Sequence, residues 1–161
     1  MKRFFGLILV VAVTGGLAAG TQARNSRGHD DESVGVELTY TKWFAPVPAT
    51  GPPTNMVGFV SGDIVGQFGG AVIQRTPLDA ANHFVRLTAV YIVIAADPAK
   101  SFTAHVEGVA DNQARTAALD GRVVDGYLKR AHVHAEFAYI NCTQAPSGTC
   151  FQGTISVTRK R

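Results

Sequence analysis

Short runs rich in β-branched and aromatic residues recur along the chain, and clusters of Gly, Pro and Asp separate them. No segment keeps a helical period of about 3.6 residues for more than about two turns, so long helices are not expected. The runs predict eight strands, at residues 36–44, 56–60, 63–75, 83–96, 101–108, 114–119, 129–141 and 150–158. An even number of hairpin-connected strands can close on itself, which removes the exposed sheet edges. We therefore predict an all-β domain over residues 34–158, an eight-stranded antiparallel up-and-down barrel.

Glycine and aspartate positions mark where we expect the strands to bend or stop. Glycines within the third strand, at Gly66, Gly69 and Gly70, predict bends or bulges. The dipeptides Asp120-Gly121 and Asp125-Gly126 predict turns, and residues 97–100 predict another.

The N-terminus has the pattern of a secretory signal peptide. Lys2 and Arg3 precede an almost wholly apolar stretch at residues 4–13, and Ala23 supplies the small residue expected before a cleavage site. We predict cleavage after Ala23, a disordered polar lead-in at 24–33, and a secreted or periplasmic mature chain. No later segment is apolar and long enough to predict a membrane span.

Charge and composition exclude several classes of protein. Of the 161 residues, 15 are Lys or Arg and 12 are Asp or Glu, which indicates one globular domain without a large excess charge. The basic residues are scattered apart from the C-terminal Arg159-Lys160-Arg161, so no nucleic-acid partner is predicted. Two cysteines are too few for a disulfide-dense mini-protein or a zinc ribbon.

The two cysteines predict a disulfide. Export favours oxidation, and Cys142 and Cys150 flank a loop of turn-forming residues between the last two strands. If the cysteines lie directly opposite each other, Phe137 pairs with Ile155 on an apolar face. That register points the apolar face into the barrel and the disulfide outward.

A second motif has the spacing of a metal site. His132, His134 and Glu136 alternate on one strand face, where two imidazoles and a carboxylate could hold an ion. The segment from Gly126 to His134 fits the first half of a cupin signature, but Ala138 and Tyr139 stand where the cupin glutamate belongs. We predict a solvated outer face without metal, and we keep a cupin-like site at these three residues as an alternative.

Several turn and glycine blocks resemble the allene oxide cyclase-like barrel family, which includes dirigent-like proteins. They are GDIVG at 62–66, ADPAKSF at 96–102, LDGRVVDG at 119–126 and TCFQGTI at 149–155. The resemblance covers residues 58–157, and its last two blocks are also similar to small exported bacterial proteins. It implies an eight-stranded antiparallel barrel with an apolar cavity, in which some members cyclise or orient hydrophobic intermediates. No catalytic residue of the family matches a position here.

The leading functional hypothesis is an exported barrel that binds a small apolar molecule in its lumen, without a cofactor. The predicted lumen residues are Tyr91, Phe137 and Tyr139. One alternative is a cyclase or isomerase, for which Tyr91, Arg86 and Tyr139 would supply polar groups in the lumen. The other is a structural barrel that associates through its outer face, with a homo-oligomer as the assembly considered.

Overall fold

The computed structural model describes residues 33–46 and 55–160. Its eight strands are β1 Ser33–Phe44, β2 Met56–Gly62, β3 Gly66–Pro77, β4 Phe84–Ala95, β5 Phe102–Asp111, β6 Thr116–Gly126, β7 His132–Asn141 and β8 Thr149–Lys160. Each strand pairs antiparallel with the next, and β8 pairs with β1 to close the barrel. The predicted all-β, eight-stranded antiparallel barrel is confirmed. The predicted signal peptide, and the lead-in except for Ser33, lie outside the described residues.

Alternation of apolar and polar residues along the strands produces the core. In β5, Phe102, Ala104 and Val106 are buried, whereas His105 and Glu107 are exposed. Successive residues of a strand point to opposite faces, so an alternating sequence fills the lumen with apolar groups and leaves polar groups outside. The core comprises such inward residues from all eight strands, including Leu38, Val60, Phe68, Val93, Ala104, Leu119, Val133 and Ile155.

The prediction of a turn at Asp120-Gly121 is wrong, because β6 continues through these two residues to Gly126. Gly121 instead permits close contact between neighbouring strands. A β-carbon there would lie 1.9 Å from the carbonyl oxygen of His105 on β5. Gly126, with a φ of +85°, does stand at the end of the strand, in a conformation that glycine adopts readily.

The bulge in β3 lies beyond the glycines where bends were predicted. The register with β4 shifts between Val72 and Gln74. The extra residue, Ile73, reverses the alternation that follows it. Arg75 therefore stands opposite Leu87, an inward-facing residue of β4, and points toward the lumen.

The register of β7 and β8 differs by two residues from the prediction. Phe137 stands opposite Gly153 instead of Ile155, and Ile140 stands opposite Cys150. The reason is that Cys142 is aligned with Gly148, to whose carbonyl it donates a backbone hydrogen bond of 3.0 Å, so the disulfide runs diagonally. A shift of two residues preserves the faces, and Phe137 remains inside the barrel.

The predicted disulfide between Cys142 and Cys150 is present, with a Cα–Cα distance of 5.7 Å. The prediction that the disulfide points outward is right for the strand position of Cys150 but missed its burial. Cys150 belongs to the outward-facing positions of β8 but is fully buried, and Ala145 within the loop that the bridge closes is buried as well. The bridge thus contributes a buried group at the end of the barrel where β7 joins β8.

Replacing both cysteines by Ser is expected to lower the free energy of unfolding by roughly 2–3 kcal/mol, since a closed loop of this length restricts the unfolded chain. Urea unfolding of the variant and of oxidised wild type measures the difference. Reduced wild type should match the variant. Equal stability of the oxidised and reduced proteins would contradict the expectation.

One short helical turn, Pro98–Lys100, connects β4 and β5, where the sequence predicts a turn. The side chain of Asp97 accepts a hydrogen bond from the backbone nitrogen of Ala99 and so caps this turn. Within residues 33–46 and 55–160, no helix has the length and apolar character needed to cross a bilayer.

Candidate functional site

A cavity of about 540 Å³ lies in the barrel lumen. It lies at the end where β7 and β8 are joined by the disulfide loop. Its walls are mostly apolar, and its polar lining residues among those described are Lys42, Asn55, Arg75, Asn112, Tyr91 and Tyr139. None of the described lining residues is acidic. The lumen at the other end is filled by apolar side chains, among them Ile64, Val93, Phe102 and Val123.

Three residues predicted to face the lumen, Tyr91, Phe137 and Tyr139, line this cavity together. Arg86, the remaining polar candidate, does not. It lies at an exposed position of β4, because inward positions of that strand are odd-numbered from Val85 to Ala95. Residues five apart on a regular strand point to opposite faces, so Arg86 and Tyr91 cannot both face the lumen.

The most unusual residue of the cavity, Lys42, was missed by the sequence analysis. It occupies an inward position of β1, two residues after Tyr40 and four after Leu38, and is only 2% exposed. Lysine is almost never fully buried without a partner. The sequence nevertheless indicates that Lys42 faces inward, because it continues the alternation of the inward-facing residues Leu38 and Tyr40.

Aromatic groups surround the Lys42 amine. Nζ donates a hydrogen bond to the hydroxyl of Tyr91. It also lies 4.1 Å from the ring centroid of Tyr91 and 4.5 Å from that of Phe137. The rings of Tyr40 and Phe68 lie slightly farther away, at 5.2 and 5.4 Å. No salt bridge joins Lys42 to a carboxylate in the described part of the chain, so the amine has no acidic counter-ion there.

Burial shifts the pKa values of Lys42 and Tyr91 in opposite directions. Loss of hydration lowers the pKa of Lys42 well below its usual value, because an apolar surrounding disfavours the ammonium ion. The same effect raises the pKa of Tyr91, which keeps the phenol protonated. Burial and the neighbouring Tyr91 also raise the pKa of Tyr40, whose buried hydroxyl has no hydrogen-bond partner among the described residues. The lowered pKa of Lys42 and the raised pKa of Tyr91 favour a neutral amine beside a neutral phenol.

Two basic residues, Arg75 and Arg115, lie near Tyr139 at one end of the cavity. The Tyr139 hydroxyl donates to Asn112 Oδ1 at 3.3 Å, and the Arg115 guanidinium lies 5.9 Å from the Tyr139 ring. Burial raises the pKa of Tyr139, and the positive charges of Arg75 and Arg115 partly offset the increase. This end of the cavity therefore has a positive electrostatic character.

The alternative metal ligands His132, His134 and Glu136 lie on the outer face of β7, away from the cavity. His134 bridges two carboxylates, with Nδ1 2.9 Å from Asp120 and Nε2 3.0 Å from Glu136. His132 Nε2 lies 3.4 Å from the same Asp120 oxygen. In residues 33–46 and 55–160, no group of three or more His, Cys, Asp or Glu side chains has a geometry suited to a metal ion.

Replacing His134 by Gln is expected to cost more stability at acidic than at alkaline pH. Hydrogen bonds to Asp120 and Glu136 raise the pKa of His134 above its ordinary 6.5. The contribution is therefore fully present below pH 6.5 and is lost as the pH rises through the higher folded-state value. Urea unfolding at about pH 5.5 and about pH 8.5 tests this, with His105→Gln on the outer face of β5 as the matched control. A His134→Gln effect that is larger at the higher pH would contradict it.

A second depression, of about 610 Å³, lies on the outer surface of the barrel. It is lined mainly by exposed residues such as Phe84, Glu136 and Gln152. Unlike the lumen, it contains no buried polar side chain. The lumen cavity is therefore the candidate site.

Fold and site together define a closed antiparallel barrel with an apolar cavity and a buried lysine. Comparisons with known proteins find no matching family, no matching curated protein and no matching solved structure. The chemistry of the cavity is therefore the basis on which a function is assigned.

Proposed function

We propose that this protein binds a small, mainly apolar molecule in the barrel lumen. The observation that carries the proposal is the cavity itself, about 540 Å³ with apolar walls and a buried amine in its lining. Ligand sites are typically concave and apolar, with a few polar groups that fix orientation. Small closed barrels either fill their lumen with side chains or leave room for one ligand.

Lys42 and Tyr91 define the polar part of the ligand. Their N–H and O–H groups are withdrawn from water, so a ligand that accepts a hydrogen bond there would satisfy otherwise costly polar groups. The absence of acidic groups from the described lining also favours an acceptor, such as a carbonyl or carboxylate oxygen. The proposed ligand therefore has an apolar body and one oxygen-bearing head group.

We also propose a secreted or periplasmic location and a relation to allene oxide cyclase-like barrels. A disulfide between Cys142 and Cys150 supports an oxidising environment, as does the predicted signal peptide ending at Ala23. The closed eight-stranded barrel with an apolar cavity is the architecture that the resemblance to allene oxide cyclase-like proteins implies.

Binding of decanol, measured by calorimetric titration, tests the proposal. Ala89→Phe places a large side chain in the cavity, whereas the matched Ala118→Phe places the same group on the outer face of β6. Wild type and Ala118→Phe are expected to bind, and Ala89→Phe is expected to lose binding while it remains folded. Failure of wild type to bind, or equal binding by both variants, would contradict lumen binding. Native mass spectrometry of protein purified from its host would identify a retained ligand.

A cyclase or isomerase is the second candidate, and the convergence of Lys42 and Tyr91 favours it. A neutral amine can accept a proton from a carbon atom next to a carbonyl while a phenol donates a hydrogen bond to the carbonyl oxygen. Wild type would then accelerate deuterium exchange beside the carbonyl of a bound ketone, and Tyr91→Phe would reduce that rate. Binding without exchange leaves the binding protein as the better description.

A further inference from the structure

We infer that Lys42 is a covalent attachment site for an aldehyde or ketone, which it holds in the lumen as an imine. The inference rests on the proposed function, since the carbonyl compound must first enter the cavity. It adds a defined chemical class of ligand and a defined bond between that ligand and the protein.

The position of the amine is the first argument. Lys42 is 2% exposed to solvent, yet its side chain lines the cavity. Lys100 and Lys129 lie at exposed positions instead. A carbonyl compound in the lumen therefore meets one lysine among the described lining residues, in surroundings from which bulk water is largely excluded.

The groups around the amine are the second argument. The titratable side chains nearest to Nζ are Tyr40 on the same strand and Tyr91 on β4, and the remaining neighbours are the rings of Phe68 and Phe137. Arg75 and Tyr139 belong to the lining farther along the cavity. With no carboxylate among the described residues to hold the ammonium form, this is the kind of apolar pocket in which a lysine becomes nucleophilic.

The reaction balances without a further reactant. The lone pair of Nζ forms a bond to the carbonyl carbon, and the carbonyl π electrons move to oxygen to give a carbinolamine. The carbon–oxygen bond then breaks, and the oxygen leaves as water with one proton from Nζ and a second from the Tyr91 hydroxyl. Tyr91 regains its proton when the iminium ion loses the remaining N–H proton to give the imine. The Tyr91 hydroxyl, already hydrogen-bonded to Nζ, is a positioning residue that can pass a proton to oxygen. The iminium ion formed as the oxygen departs is stabilised by the surrounding ring faces.

Reductive trapping with decanal and sodium cyanoborohydride at pH 7 tests the inference. At this pH an exposed lysine is almost entirely protonated and reacts slowly. Intact mass measurement and peptide mapping are expected to show one decyl group, at Lys42, formed faster than at Lys100 or Lys129 by a factor on the order of ten or more. Preferential labelling of Lys100 or Lys129 would overturn the assignment.

Matched variants separate this inference from the proposed function. Lys42→Met is expected to lose the adduct, whereas Lys129→Met should keep both the adduct and decanol binding. Tyr91→Phe is expected to slow trapping and to change its pH profile. If wild type binds decanol but forms no adduct at Lys42, the imine alone is overturned. If wild type binds neither decanol nor decanal, the proposed function is overturned as well. If Lys42→Met does not fold, the mapped position in wild type decides.

Discussion

Replacing Lys42 by Met is expected to raise the free energy of unfolding at neutral pH by about 1–4 kcal/mol. The physical reason is that folding removes the amine from water without giving it an acidic partner among the described residues, whereas Met fills similar space without that cost. Urea unfolding at pH 7 measures the gain. Lys129→Met is the matched control, and its effect should stay within about 0.5 kcal/mol because Lys129 is on the surface.

The gain is expected to depend on pH in a defined direction. Burial lowers the pKa of Lys42, so between the folded-state pKa and the usual lysine value the unfolded chain binds more protons than the folded one. Within that window, one such group increases wild-type stability by about 1.4 kcal/mol per pH unit as the pH rises. The advantage of Lys42→Met should therefore shrink toward about pH 10.4. A difference that stays constant or grows from neutral pH upward would contradict a depressed pKa.

Replacing Phe137 by Ala is expected to lower the free energy of unfolding by about 3–5 kcal/mol, the usual cost of removing a core aromatic side chain. Phe137 is 7% exposed and packs edge-to-face against Phe151, with ring centroids 5.4 Å apart. It also lies beside Lys42 and lines the cavity, so truncation would enlarge a space that neighbouring side chains only partly fill.

The matched control for Phe137→Ala is Phe59→Ala on β2. Phe59 is 54% exposed and contacts Trp43, with ring centroids 5.2 Å apart. Its removal is expected to cost about 1 kcal/mol or less. Equal losses for the two variants, measured by urea unfolding, would contradict the assignment of Phe137 to the barrel interior.

The barrel could be predicted because its signals are local. Alternation along β5 places Phe102, Ala104 and Val106 on one face whatever the partner strands are. The same rule selected the correct faces of β7 and β8 and so placed Phe137 in the lumen, although the assumed opposition of the cysteines gave a register two residues away from the observed one.

The polar part of the site depends on features that are less visible in a sequence. Lys42 continues an apolar alternation, but lysine is so seldom buried that its position was given no weight. Arg75 lines the cavity only because the bulge at Ile73 reverses the alternation, and no residue there predicts a bulge. The Arg86 prediction failed for a simpler reason, since it ignored the strand alternation that Tyr91 had already fixed.

The methyl resonance of Met56 offers the most direct test of ligand binding in the lumen. The chain has two methionines, Met1 and Met56, and Met56 is buried in the cavity lining. The single tryptophan, Trp43, faces away from the cavity and packs against the exposed Phe59. In protein with isotope-labelled methionine methyl groups and tryptophan indole, added decanal is expected to shift the Met56 signal saturably and to leave the Trp43 signal in place. An unchanged Met56 signal at saturating decanal, or a shift confined to Trp43, would contradict a ligand site in the barrel.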